Sequence, residues 1–151
     1  KYSCGLYMRM GLNRVYFSAY LRGLGDPELP GERSALSNAD LLNREHRLYQ
    51  TDWLIRKYGF SDEEIPFESD GNLSLTTDPK ELWAMRHPEV FPIDINRADK
   101  YELLRVPGLG PVTVNTILRL RKNGGKIQSM DTLGTVGKRL GKAKEYVKFG
   151  Y

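Results

Sequence analysis

The sequence predicts a mainly α-helical chain: a helical region with a lone strand over residues 1–93, then a module of short helices joined by glycine hairpins over residues 94–151. Three observations carry this. Apolar residues recur at helical spacing between Asn38 and Lys57, and again on either side of Val106-Pro-Gly-Leu-Gly-Pro111. β-branched and aromatic residues gather into a strand-like run at Asn13 to Tyr20. The charge is divided unevenly: residues 1–93 hold 11 Lys and Arg against 14 Asp and Glu, net −3, whereas residues 94–151 hold 12 against 5, net +7.

The totals set the bounds. At 151 residues and 40% hydrophobic content the chain can fill a core as one ordinary domain or two small ones. Neither an apolar run of about 18 residues nor a signal peptide is present, so the expected location is cytoplasmic, with no membrane partner. Cys4 is the only cysteine, which excludes an internal disulfide. Neither it nor His46 or His87 has a partner at metal-ligand spacing. The chain opens at Lys1 in a structured-looking segment, which suggests a piece of a longer protein.

Tyr2 to Met10 reads as the last turns of a helix, and Asn13 to Tyr20 as one strand. A strand needs a ladder partner for its backbone groups, and none is legible elsewhere. Gly23 to Gly31 holds three glycines and two prolines and reads as loop. From Asn38 to Lys57 a helix is expected, with Leu41, Leu48 and Ile55 seven residues apart, Leu42, Tyr49 and Trp53 widening the stripe, and Gly59 ending it. Ser61 to Glu64 looks like a short helical start, and Glu68 to Thr77 like polar linker. Asp78 then suits an N-cap with Pro79 at the first helical position, giving a helix to about Met85. His87-Pro88 and Phe91-Pro92 bias the chain toward extended backbone, and the domain boundary is placed between His87 and Asp94.

In the C-terminal module Asn96 is expected to cap a helix beginning at Arg97, with Asp99 three residues later completing a variant capping box. Leu103, Leu104 and Val106 give that helix its apolar side. Pro107 closes it, Gly108 and Gly110 permit a tight hairpin with positive φ, and Pro111 starts the next helix. Val112, Ile117, Leu118 and Leu120 make that second helix amphipathic until Asn123-Gly-Gly125 stops it. A weaker copy follows: a helical turn at Met130 to Leu133, the hairpin Gly134-Thr-Val-Gly137, and a helix entered through Lys138 and Arg139.

Glycine lets backbone N–H groups approach an anion, and the following helix N-terminus adds partial positive charge. The expected phosphate clamp is therefore Pro107, Gly108, Leu109, Gly110, Val112 and Thr113, bracketed by Arg105, Arg119, Arg121 and Lys122. Gly134, Val136, Gly137, Lys138 and Arg139 form the second, weaker grip, since Thr135-Val136 lacks the leading proline of the first. A basic block of this kind in an otherwise mildly acidic chain is the footprint of phosphate binding.

Ile95-Asn-Arg-Ala98, Glu102-Leu-Leu, Pro107-Gly-Leu-Gly-Pro111, Ile117-Leu, Arg121 and Gly134-Thr-Val-Gly137 together resemble the helix-hairpin-helix family, particularly the form found in bacterial competence proteins that bind DNA. The resemblance implies sequence-non-specific contact with the DNA backbone. Some members of that family instead dock onto proteins.

A second resemblance runs the whole length. Gly11-Leu-Asn-Arg-Val-Tyr-Phe-Ser-Ala-Tyr20, Arg44-Glu-His-Arg-Leu-Tyr-Gln-Thr-Asp-Trp-Leu54, Tyr58-Gly-Phe60, Asp78-Pro79, Trp83-Ala84, Arg86-His-Pro88 and Phe91-Pro92 look like the C-terminal portion of a bacterial family of radical-SAM proteins of DNA modification or repair. It implies that the strand is left over from a truncated (β/α) barrel. It also implies that a missing catalytic domain carries a [4Fe-4S] cluster and S-adenosylmethionine, and that a repair enzyme such as a uracil-DNA-glycosylase-like protein is a partner. The Cys-x3-Cys-x2-Cys motif of that family is absent, and Cys4 alone cannot ligate such a cluster.

Glu45, His46 and Asp52 are the one polar cluster that invites a catalytic reading. On a helix Glu45, Tyr49 and Asp52 share a face while His46 lies beside Gln50. The plainer expectation is a solvated or salt-bridged face, and no catalytic residue is assigned to the chain.

Overall fold

The computed structural model describes residues 9–12, 15–134 and 137–150. Among them are five α-helices, short 3-10 turns and two two-residue strands. In chain order the elements are α1 (Asn38–Tyr58), α2 (Pro79–Arg86), β1 (Ile93–Asp94), α3 (Lys100–Arg105), α4 (Pro111–Lys122), α5 (Lys138–Ala143) and β2 (Val147–Lys148).

The helix expected over residues 2–10 falls mostly outside the described residues; Arg9 and Met10 are helical. The expected strand is corrected where it is described, because Val15 to Tyr20 forms no ladder. Side chains of α1 meet its backbone instead. The Tyr49 hydroxyl accepts from the Phe17 N–H at 3.1 Å and lies 3.0 Å from the Phe17 carbonyl, and Glu45 accepts from the Ala19 N–H at 2.8 Å. One turn of helix thus supplies partners for both backbone groups of Phe17 and for the Ala19 amide.

Ser37 caps α1 in a reciprocal box with Asp40, and Gly59, at φ 74°, closes it in the left-handed region. The expected stripe holds in part, with Leu48 and Ile55 packed partly buried against the core. Leu54, Thr51 and Asp52 are buried, whereas Leu42 and Trp53 stand outside at 67% and 46% exposure. Asp52 tolerates burial because Arg56, one turn on, grips both its carboxylate oxygens.

Ser61 to Glu64 is a turn rather than a helix. Residues 68–77 are held against α1: the Asn43 amide donates to the Leu75 carbonyl, Arg47 donates to Ser74, and Leu73 is buried. Asp78 caps α2 as expected, its carboxylate accepting from the Lys80 and Glu81 amides. Pro88–Val90 forms a 3-10 turn instead of continuing extended.

Two clusters make the core. Leu54, Phe60, Ile65, Leu73, Trp83 and Ala84 form the first; Ile95, Leu103, Leu104, Val106, Leu109, Val114, Ile117 and Ile127 are among the second. Tyr58, Phe91 and Tyr146 pack against both, so the clusters share a seam. β1 and β2 pair in parallel, Ile93 with Val147 and Asp94 with Lys148, bringing residues flanking the hairpin module side by side.

Candidate nucleic-acid interface

The first helix of the hairpin module begins three residues later than the sequence suggests. Asp99, not Asn96, is its cap, accepting from the Tyr101 and Glu102 amides while Glu102 accepts from the Asp99 amide. Asn96 is used elsewhere, clasping both backbone groups of the buried Ile127 at 2.9 Å. Asp94 in turn accepts from the Asn96 amide and turns the chain out of β1.

Leu103, Leu104 and Val106 are fully buried, and α3 ends at Arg105 ahead of Pro107. Gly108 has φ 87°, as the hairpin requires. Its missing side chain answers to a different neighbour than expected, since a Cβ there would overlap the Arg139 carbonyl of α5. The bare backbone lets the first hairpin lie directly against α5. Gly110, by contrast, is extended at φ −114°, so the expectation of positive φ fails there, and a Cβ on it would meet only the Tyr58 hydroxyl, at 3.7 Å.

Pro111 starts α4 as expected, and the helix runs to Lys122 with Asn123 and Gly124 closing it. Val114 and Ile117 are its buried residues; Val112, expected on the apolar face, is 81% exposed in the first turn. Met130–Leu133 is the expected helical turn. Gly134 has φ 116°, while Thr135 and Val136 lie outside the described residues. Gly137 precedes α5 in extended conformation.

The basic side chains divide into two sets. Arg105 turns inward: it pairs with Glu64 at 2.5 Å, and its guanidinium lies 4.7 Å from the Phe60 ring centre and 5.3 Å from that of Trp83. Arg121 donates to the carbonyls of Ala98 and Arg97, at 2.5 and 3.1 Å, and so ties α4 to the turn before α3. Both were expected to bracket the DNA backbone, and both are engaged within the fold. Arg119 and Lys122 remain on the surface. Lys138 and Arg139 are exposed and, with Lys142, line a groove of about 390 Å³ together with Pro107 to Gly110 and with Tyr58, Asp78, Lys80 and Glu81 of the preceding region. Lys142 is paired with Glu81 of α2.

Lys80 was not anticipated. It is 7% exposed and reaches from α2 into the first hairpin, where its ammonium donates to the carbonyls of Leu104 and Leu109, at 2.8 and 2.5 Å, 4.7 Å from the centre of the Tyr58 ring. Burial pushes its pKa down to about 7, with Asp78 opposing the fall. Its position was the available signal, because a lysine in the first turn of a helix works against the helix dipole.

Glu45, His46 and Asp52 do not assemble. Glu45 serves the Ala19 amide and Asp52 serves Arg56, while exposed His46 lines a cavity of about 300 Å³.

Residues 91–145 match a family model described as the helix-hairpin-helix motif. That motif is generally a DNA-binding module. No curated protein and no solved structure matches the chain. No helix among the described residues is long and apolar enough to cross a membrane.

Proposed function

We propose that residues 91–145 bind the sugar-phosphate backbone of DNA, without reading base sequence, along the groove between the first hairpin and α5. The observation that carries this is the contrast in how the helices begin. α1, α2 and α3 start at side-chain caps, Ser37, Asp78 and Asp99, and each has an acid in its first turn. α4 starts at Gly110 with no side-chain cap and no acid in its first turn, beside a groove lined by Lys138 and Arg139. The positive end of its dipole is left for an external anion, and the flanking cations supply the long-range attraction.

The test is titration of short duplex DNA of unrelated sequences at several salt concentrations. Affinity should be alike across sequences and fall steeply with salt, log K changing by about 0.9 per phosphate contact for each unit of log salt. The double substitution Lys138→Ala, Arg139→Ala should reduce that slope by about 2. Gly110→Val, whose Cβ would meet only the Tyr58 hydroxyl, at 3.7 Å, should weaken binding by crowding the phosphate. Unchanged affinity of folded Gly110→Val at low salt would defeat the model.

The resemblance to radical-SAM proteins supports a finer reading, in which this module brings a catalytic domain elsewhere in a longer parent onto DNA for modification or repair. The [4Fe-4S] cluster and S-adenosylmethionine would belong to that domain, as the residues here do not suit them: Cys4 is the only cysteine. A three-cysteine motif encoded upstream of Lys1 is the corresponding check. Docking onto a repair enzyme, such as a uracil-DNA-glycosylase-like protein, is the alternative, favoured by the exposure of Val112. An apolar interface of that kind would show little dependence on salt.

A further inference from the structure

The 300 Å³ cavity in the first half of the chain is not isolated from the groove. Tyr58, Asp78 and Lys80 line both, so the two hollows share a wall. His46, Gln50 and Trp53 stand at helical spacing on α1 and line the cavity together with Tyr49 and Tyr58. Trp53 keeps 46% of its surface exposed, a large aromatic held open rather than packed. The Arg56 guanidinium lies 5.9 Å from its ring centre. The Tyr58 hydroxyl stands beside Gly110, at the start of α4.

We infer that this cavity receives an unpaired nucleobase from the strand whose phosphate is held at the hairpin, the base stacking among Trp53, Tyr58 and His46. The inference rests on the backbone-binding reading given above. Aromatic rings next to a basic backbone track are how unpaired bases are held without regard to sequence, since every base offers a π face. A volume of about 300 Å³ lies at the lower end for small-ligand pockets, the size class of a single base rather than a duplex. The polar rim is largely committed: Gln50 donates to Asp78 and accepts from Arg47, and Asp78 caps α2. Stacking therefore dominates over hydrogen-bond readout, and the site takes any unpaired base.

The experiment uses the full chain and two dye-labelled DNAs, a blunt duplex and the same duplex with a short single-stranded thymine tail, followed by fluorescence anisotropy. The tailed DNA should bind about tenfold more tightly. Trp53→Ala should remove that preference while leaving blunt-duplex affinity and its salt dependence in place, and Trp53→Phe should retain most of it. His46→Ala should lessen it independently. Equal affinity of the wild-type chain for both DNAs, with normal salt dependence, overturns the base site and leaves backbone binding standing. Failure of both DNAs to bind overturns the backbone reading, and the base site falls with it.

Discussion

Replacing Lys80 by methionine tests whether the first hairpin is held from outside by a cation of the preceding region. The substitution keeps the length and apolar volume of the side chain but removes the donor to Leu104 and Leu109. Two carbonyls in a dry setting then lack that partner, at a cost of about 1–3 kcal/mol each when fully unsatisfied. The pH dependence makes the test specific. The folded-state pKa, about 7, lies below the ordinary 10.5, so the unfolded chain binds a proton there that the folded chain does not. The stabilisation from this group is full above the unfolded value and is lost as pH falls through about 7. Between about pH 6 and pH 9 it should add about 2–3 kcal/mol to the wild type and nothing to the variant. For a chain of this length that is about 5–10 °C in melting temperature. Thermal melts of both proteins across that range should therefore diverge with rising pH. Parallel curves would refute the buried, proton-releasing lysine.

Three further outcomes follow from the same geometry. Gly108→Ala, which combines positive φ with overlap on the Arg139 carbonyl, should destabilise the fold by at least about 2 kcal/mol in urea titration, whereas Gly110→Ala should stay within about 0.5 kcal/mol. Asn96→Ala, which releases both backbone groups of Ile127, should cost about 2 kcal/mol and lower the melting temperature; an unchanged melting point would show the clasp to be idle. Arg121→Ala should lower stability while leaving the salt slope of DNA binding nearly untouched, because this guanidinium is spent on Ala98 and Arg97. A slope reduced by about 1 would place it on phosphate after all.

The hairpin module was legible in the sequence because its signals are local. Pro107, Gly108 and Pro111 act through their own backbone restrictions, and Gly59 and Asp78 punctuate the first half in the same way. What escaped depends on partners remote in the chain. Asn96 and Asp99 are both good caps, and the choice between them is made by Ile127, 31 residues away. Arg105 and Arg121 look like surface cations until Glu64, Phe60 and the Ala98 carbonyl are brought to them by folding. The run Val15 to Tyr20 has strand composition, yet Tyr49 and Glu45 occupy its backbone groups. β1 and β2 are too short to leave a periodic trace. The Arg139 carbonyl in α5, 31 residues on, leaves no room for a side chain at Gly108, a constraint that the glycine's own turn geometry conceals.

The pairing of Ile93 with Val147 gives the hairpin module a common doorway. The chain enters and leaves the module at neighbouring points, so tension applied to its two flanks loads the short bridge in β1 and β2 before it reaches either hairpin. The width of the groove depends on more than this bridge, because Tyr58, Asp78, Lys80 and Glu81 line it and Glu81 pairs with Lys142, so the preceding region is part of the frame that holds the two glycine turns apart.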